Sequence, residues 1–188
     1  MMKHQGNLFV LSGPSGVGKG TVLKKVLEYD KELVLSISVT TREPRSDEVE
    51  GESYFFVSDE NFSALLKKDA LLESASHFGN RYGTLKSFVF DAMENGKNVV
   101  LEIDTVGALQ VKTKMPKSVL IFLDYPSKEE LLVRLIGRGS EDDKTLKARI
   151  EKADIELKER DKYDFHVVND SVEVAAEKIL NIIRSVKI

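Results

Sequence analysis

The stretch Leu8-Phe9-Val10-Leu11-Ser12-Gly13-Pro14-Ser15-Gly16-Val17-Gly18-Lys19-Gly20-Thr21 decides the fold. Four apolar residues, Leu8 to Leu11, read as a short buried strand, and Ser12-Gly13-Pro14 ends it. Gly13 is followed by four residues and then by Gly18-Lys19, the spacing of a P-loop. Glycines allow successive N–H groups to turn inward toward an anion. Val22, Leu23, Val26 and Leu27 recur at helical spacing, so a helix is expected over Thr21 to Tyr29. Its N-terminus adds the positive end of a helix dipole to the same anion site.

Gly13, Ser15, Gly16, Val17, Gly18, Lys19, Gly20 and Thr21 are therefore the candidate ATP-binding residues, with Lys19 reaching the β- and γ-phosphates. Gly20 stands where the pattern has a hydroxyl for Mg²⁺, and Thr21 comes one place later. A glycine-rich turn in a protein that binds no nucleotide is the alternative. The strand before and the helix after favour the nucleotide.

The alternation continues outward. Asn98 to Ile103 and Val119 to Leu123 are strand candidates with helix-like sequence nearby. Ser127 with Glu130 is a capping box that opens a helix from Lys128 to Ile136. Asp143 to Lys162 carries Leu146, Ile150, Ala153 and Leu157 on one stripe. Phe165 to Val168 is a last strand, and Asp170 with Glu173 opens a final helix through Ile183. Strands alternating with helices predict an α/β fold, a mainly parallel sheet flanked by helices. Residues 36 to 83 break the rhythm with short alternating stretches such as Ser53-Tyr54-Phe55-Phe56-Val57, closed by a helix from Ser58 to Lys68. They are expected to form a small β-rich insert. Gly137-Arg138-Gly139-Ser140-Glu141-Asp142 reads as a mobile loop between two helices.

Composition agrees with one domain of 188 residues: 41% hydrophobic and 31% charged, which excludes disorder and collagen-like structure. Lys plus Arg is 28 and Asp plus Glu is 31, a net charge of −3 that gives no support for a general nucleic-acid binder. There is no cysteine, so no disulfide, thiolate metal site or cysteine nucleophile. The longest apolar run, Val119 to Leu123, is far too short to span a bilayer, and Met1 to Asn7 lacks the apolar segment of a signal peptide. A cytoplasmic protein without membrane partners is expected. Monomer and homodimer fit the sequence equally.

Ser38-Val39-Thr40-Thr41-Arg42-Glu43-Pro44-Arg45 places two guanidiniums three residues apart around a stiffening proline. Their forks suit phosphate, and Tyr54 and Tyr82 each bring a hydroxyl. Further on come Gly51-Glu52-Ser53-Tyr54-Phe55-Phe56-Val57, Leu72-Glu73-Ser74-Ala75, Phe78-Gly79-Asn80-Arg81-Tyr82-Gly83-Thr84, Leu101-Glu102-Ile103-Asp104, Leu135-Ile136-Gly137-Arg138-Gly139 and Val168-Asn169-Asp170. With the P-loop, these stretches resemble guanylate kinases along nearly the whole chain. The P-loop is shared by many NTPases, and the part from Ser38 to Thr84 singles out this family.

The resemblance implies a nucleoside monophosphate kinase moving the γ-phosphoryl of ATP onto GMP, and onto dGMP as well. The GMP phosphate is then held by Arg42, Arg45, Tyr54 and Tyr82, and the guanine is read by Ser38, Glu73, Thr84 and Asp104. Guanine presents N1–H and an exocyclic NH₂ as adjacent donors, and one carboxylate accepts both. Adenine has no N1–H and leaves such a carboxylate unpaired. The implied layout is a core of about 1–36 and 84–188, a GMP-binding insert of about 37–83 and a lid of about 137–149. Arg134, Arg138 and Arg149 resemble lid arginines over ATP, and the catalytic set is Lys19, Arg42, Arg138 and Arg149. Mg²⁺ is expected on the nucleotide phosphates, with Thr21 or Asp104 as the nearby protein group. Asp47, Thr105-Val106 and Asp124-Tyr125-Pro126 depart from the family pattern, and none of them is assigned a contact. His4, His77 and His166 fall in no metal or triad pattern and read as bland. Two other readings are a P-loop kinase with another phosphorylated acceptor and a non-catalytic interaction module.

Overall fold

The computed structural model describes residues 5–77, 79–127, 129–131, 133 and 143–186, the side chains of 143–149 excepted. Leu8–Ser12 forms β1, buried at every position. Val99–Glu102 (β7) and Val119–Asp124 (β8) pair with it in parallel on either side. Val34–Leu35 (β2) and Phe165–Val168 (β9) complete a parallel sheet in the order β2-β7-β1-β8-β9. Both faces are covered, as the continuous apolar runs demand. Phe9 and Leu11 pack with helices Lys19–Tyr29 (α1) and Val172–Ser185 (α6); Leu8 and Val10 pack with Lys86–Glu94 (α3) and Thr105–Lys114 (α4).

Between the second and seventh strands the chain builds a separate sheet. Ser38–Thr40 (β3), Phe55–Phe56 (β4), Leu71–His77 (β5) and Asn80–Leu85 (β6) run in the order β4-β3-β6-β5. Helix Asp59–Lys67 (α2) covers it through Phe62, which packs with Val39 and Leu71. Ser58 caps this helix by accepting from Asn61 N–H (3.2 Å).

Several boundaries differ from the expectations. Helix α1 begins at Lys19, two residues early, because Gly18 adopts the left-handed conformation (φ 94°) that turns the loop into the helix. Of the alternating stretch 53–57 only Phe55–Phe56 is strand, since a turn around Gly51 takes Ser53 N–H back to Val49 O (2.9 Å). Helix Asp143–Lys158 (α5) ends before Lys162: Arg160–Lys162 tightens into a 3₁₀ turn that brings Tyr163 into the core. Ser171, not Asp170, caps α6, its hydroxyl accepting from Val174 N–H (3.4 Å). Ser127 does open its helix, accepting from Glu130 N–H (3.3 Å). The remainder of the expected 128–136 helix, the expected loop over 137–142, Arg134, Arg138, His4 and the side chain of Arg149 lie outside the described residues.

Candidate active site

The donor end is the loop between β1 and α1. Gly13 has φ 147°, and a Cβ there would lie 2.1 Å from the Leu123 carbonyl oxygen, so only glycine allows the loop to leave the sheet this close to β8. Gly18 precedes α1 without a side-chain cap, which leaves the first-turn N–H groups available to an anion. Asn169, buried at the end of β9, donates its Nδ2 to Val17 O (2.8 Å) and holds the loop from behind. Ser15 N–H donates to Glu156 Oε2 of α5 (3.0 Å). Lys19 Nζ folds back on Gly13 O (2.7 Å) and Pro14 O (3.1 Å). Burial holds its pKa below the ordinary 10.5, against the pull of Glu156, Glu102 and Asp104. Gly20 and Thr21 are exposed in the first turn of α1, and the Gly20 Cα faces the Glu102 carboxylate.

The acceptor end is a row of side chains across three strands. Ser38 on β3 pairs with Thr84 on β6, which pairs with Glu73 on β5. The last pairing exists because β5 carries a bulge between Leu71 and Glu73, which places two residues against one and re-aims the glutamate. Thr84 Oγ1 donates to Glu73 Oε1 (2.7 Å), and both residues are buried. Burial pushes the Glu73 carboxyl up to about 7; the Thr84 hydroxyl, Lys114 and His77 lower it, and Asp104 raises it. Two residues along β6, Tyr82 meets Tyr54 edge-on (ring centroids 6.1 Å apart). Arg42 stands over the Tyr54 ring (5.4 Å); its Nη2 donates to both Glu48 oxygens (2.6 and 2.9 Å) and its Nη1 to Glu43 O (2.7 Å). Arg45 is exposed; its backbone N–H reaches Glu48 Oε2 (2.8 Å).

A single cleft of about 310 Å³ joins the two ends. Lys19 and Glu102 line it on one side, and Ser38, Tyr54, Glu73 and Tyr82 on the other. Asp104 lies between them as the N-cap of α4, accepting from Gly107 N–H (2.8 Å). Burial raises the pKa of Asp104, but His77 and the Gly107 N–H outweigh it and keep the carboxyl below its ordinary 3.8.

Several of these groups carry no motif in the sequence. His77, bland by its sequence neighbours, lines the cleft, with Nε2 against Asp104 Oδ2 and Nδ1 facing Lys152 Nζ (3.0 Å). Strand periodicity is the signal that finds it: Glu73, Ala75 and His77 alternate along β5 and share the cleft face. Glu102 follows from the same rule, two residues before Asp104. Lys152 and Glu156 lie one helical turn apart on α5; a distant helix gives no local clue to them.

The guanylate kinase family model matches residues 5–186. A guanylate kinase of Syntrophomonas wolfei is 49% identical over 182 residues, covering 97% of this chain and 93% of that protein. One from Caldanaerobacter subterraneus subsp. tengcongensis is 50% identical over 182 residues, covering 97% and 88%. The crystal structure of guanylate kinase from Anaplasma phagocytophilum superposes with a TM-score of 0.82 at 36% identity, covering 98% of this chain and 88% of that one. A P-loop and a carboxylate-bearing second sheet on one cleft, together with these matches, place the chain in the guanylate kinase family.

Proposed function

We propose that the cleft carries phosphoryl transfer from ATP to GMP, giving ADP and GDP. The observation that supports it most is the convergence of Lys19, Ser38 and Glu73 on one cavity, with Thr84 paired to both Ser38 and Glu73 behind it. ATP lies with its phosphates along Gly13, Ser15, Gly16, Val17, Gly18, Lys19, Gly20 and Thr21. GMP lies with its base on Ser38, Glu73, Thr84 and Asp104 and its phosphate toward Arg42, Arg45, Tyr54 and Tyr82. Arg134, Arg138 and Arg149, assigned to ATP by the resemblance alone, lie outside the described residues or have side chains outside them. The sheet around β3 to β6 serves as the acceptor module, about 37–83, on a core of about 1–36 and 84–188.

Phosphoryl transfer asks for alignment and charge neutralisation rather than covalent help. The acceptor is a phosphate with a second pKa of about 6, already ionised near neutral pH, so no general base is needed. Lys19 leaves the Gly13 and Pro14 carbonyls for the phosphates, and attack proceeds in line. Glu73 works as the carboxylate, taking N1–H and the 2-amino group of guanine. The same base and phosphate contacts are open to dGMP, which is proposed as a substrate as well.

Among the described residues no group of three or more His, Asp or Glu side chains could cage a metal. That fits Mg²⁺ arriving on ATP, as is usual for this small, strongly hydrated ion. Glu102, beside the loop, and the Thr21 hydroxyl are the groups that would hold its water shell. When bound, Mg²⁺ neutralises the β- and γ-oxygens. Asp104 has one oxygen on Gly107 N–H and the other on His77, which argues against a ligand role for it. No helix among the described residues is long and apolar enough to cross a membrane, and we assign the protein to the cytoplasm, where its substrates are.

The test is ADP formation from ATP and Mg²⁺ with GMP, dGMP, AMP, UMP and CMP in turn. GMP and dGMP should be used, and the others should run below about a hundredth of the GMP rate. Equal rates on AMP would remove the base-reading role of Glu73 and leave a P-loop kinase of another specificity.

A further inference from the structure

We propose that His77 is a positioning residue that ties the acceptor sheet to the rest of the cleft and thereby presets the guanine site. The inference rests on the functional reading above and deepens it. His77 belongs to β5, Asp104 to the N-terminus of α4, and Lys152 to α5. The imidazole touches both partners, one with each ring nitrogen.

The ring lies between groups of opposite charge. The Lys152 ammonium faces Nδ1 at 3.0 Å, and the Asp104 carboxylate lies against Nε2. The imidazole thus spans a cation and an anion, a setting in which hydrogen bonds gain strength from the charges. Among the described residues, Glu73, four residues back on the same strand, and Tyr82, whose ring lies 6.0 Å away, are further titratable groups near it.

This bridge leads to the base-reading carboxylate by contact. Asp104 caps α4 through Gly107 N–H (2.8 Å). The Gly107 Cα forms the wall beside Glu73: a Cβ built there would stand 2.5 Å from Glu73 Oε2. Holding Asp104 therefore holds the wall against which the glutamate rests. In the other direction α5 reaches the donor loop one turn later, where Glu156 takes the Ser15 N–H (3.0 Å). The same face of α5 so touches both ends of the cleft, and Lys152 lies 3.7 Å from Glu156. A site held in its working geometry before binding gains affinity because less has to be ordered on binding.

The experiment measures KM for GMP and for ATP, with GMP binding by calorimetry, in wild type, His77→Leu, His77→Gln, Lys152→Met and His77→Leu/Lys152→Met. His77→Leu should raise the GMP KM and dissociation constant about tenfold, the loss expected for charge-assisted hydrogen bonds in a partly exposed site. The ATP KM should move less than twofold. Glutamine carries an amide N–H and an acceptor oxygen at the end of its chain, so His77→Gln should recover GMP binding to within about threefold of wild type. Lys152→Met should raise the GMP KM about threefold alone and add little in the His77→Leu background, because the two residues act in one chain. If His77→Leu does not fold, Lys152→Met and His77→Gln carry the test. Equal changes in the ATP and GMP constants, no rescue by glutamine, or full additivity would overturn the proposal while leaving the kinase reading in place. A wild-type protein that binds no GMP would overturn both.

Discussion

Glu73→Gln exchanges a base-reading carboxylate for its neutral isostere, and the structure predicts that it stabilises the free protein while abolishing its specificity. Glu73 is 3% exposed, and its carboxyl is pushed up from an ordinary 4.5 to about 7, chiefly by burial. A carboxyl whose pKa is higher in the folded chain than in the unfolded one favours folding in its protonated form. That advantage is complete below about pH 4.5 and disappears as pH rises toward about 7, where the folded chain has to bury the charge. At 1.36 kcal/mol per pH unit, the interval is worth about 3 kcal/mol. Glutamine never ionises, and its Oε1 can keep the Thr84 hydroxyl bond (2.7 Å). Urea unfolding at pH 5 should therefore find the two proteins within about 1 kcal/mol. At pH 8 the variant should lead by about 2 to 3 kcal/mol. In the assay, GMP then meets one amide donor where its two N–H groups need acceptors. The loss in kcat/KM should be about a thousandfold or more, with ATP affinity within twofold. Guanine needs the ionised form, so GMP binding at pH 7 should release roughly half a proton, read by calorimetry in buffers of different ionisation enthalpy. An identical stability gap at pH 5 and pH 8 would refute the reasoning, because Glu73 would then not be a buried, hard-to-ionise carboxyl.

Lys19→Met should lower kcat about a hundredfold to a thousandfold, the range for losing one preorganised donor to developing charge. The free protein should unfold no more readily, since a buried ammonium whose pKa is already depressed by burial is removed. Gly107→Ala places a methyl 2.5 Å from the Glu73 Oε2 position, so the carboxylate has to give way. Calorimetry should find GMP binding weakened about tenfold, with thermal stability nearly unchanged because alanine offsets the disturbance by favouring the helix by about 1 kcal/mol. Gly20→Ala meets nothing closer than the Glu102 carboxylate at 3.5 Å; it should be tolerated, with unfolding by urea shifted toward stability by about 0.5 kcal/mol and steady-state kinetics within threefold.

The donor half of the site was readable because its determinants are contiguous. A strand, a glycine run and a helix follow one another between Leu8 and Tyr29, and each glycine answers a local need of the backbone. The parallel sheet was readable for the same reason, from continuous apolar runs such as Val119 to Leu123. The acceptor row was not, because Ser38, Glu73 and Thr84 meet only through strand pairing and a bulge that no spacing announces. Those residues came from resemblance to a family, and the pairing supplies the physical reason they act together. Helix α4 is hard to read from sequence, since Thr105-Val106-Gly107 opens it without a clear apolar stripe and its start depends on Asp104 as cap. The cap of α6 lies one place beyond the expected Asp170 because Asp170 and Ser171 are both good caps and only the observed bond to Val174 decides between them. His77 stood alone in the sequence, and its partners Asp104 and Lys152 are 27 and 75 positions away.

The claim on which all of this depends is that both nucleotides enter one cleft, phosphates end to end. Binding of an adenosine and a guanosine joined through five phosphates, measured by calorimetry with Mg²⁺, addresses it directly. If Lys19 and Glu73 belong to the same cavity, the linked compound should bind about a hundredfold or more tighter than ATP or GMP alone, and each nucleotide should compete with it. Affinity no better than that of the stronger single nucleotide, with the other failing to displace it, would contradict the account.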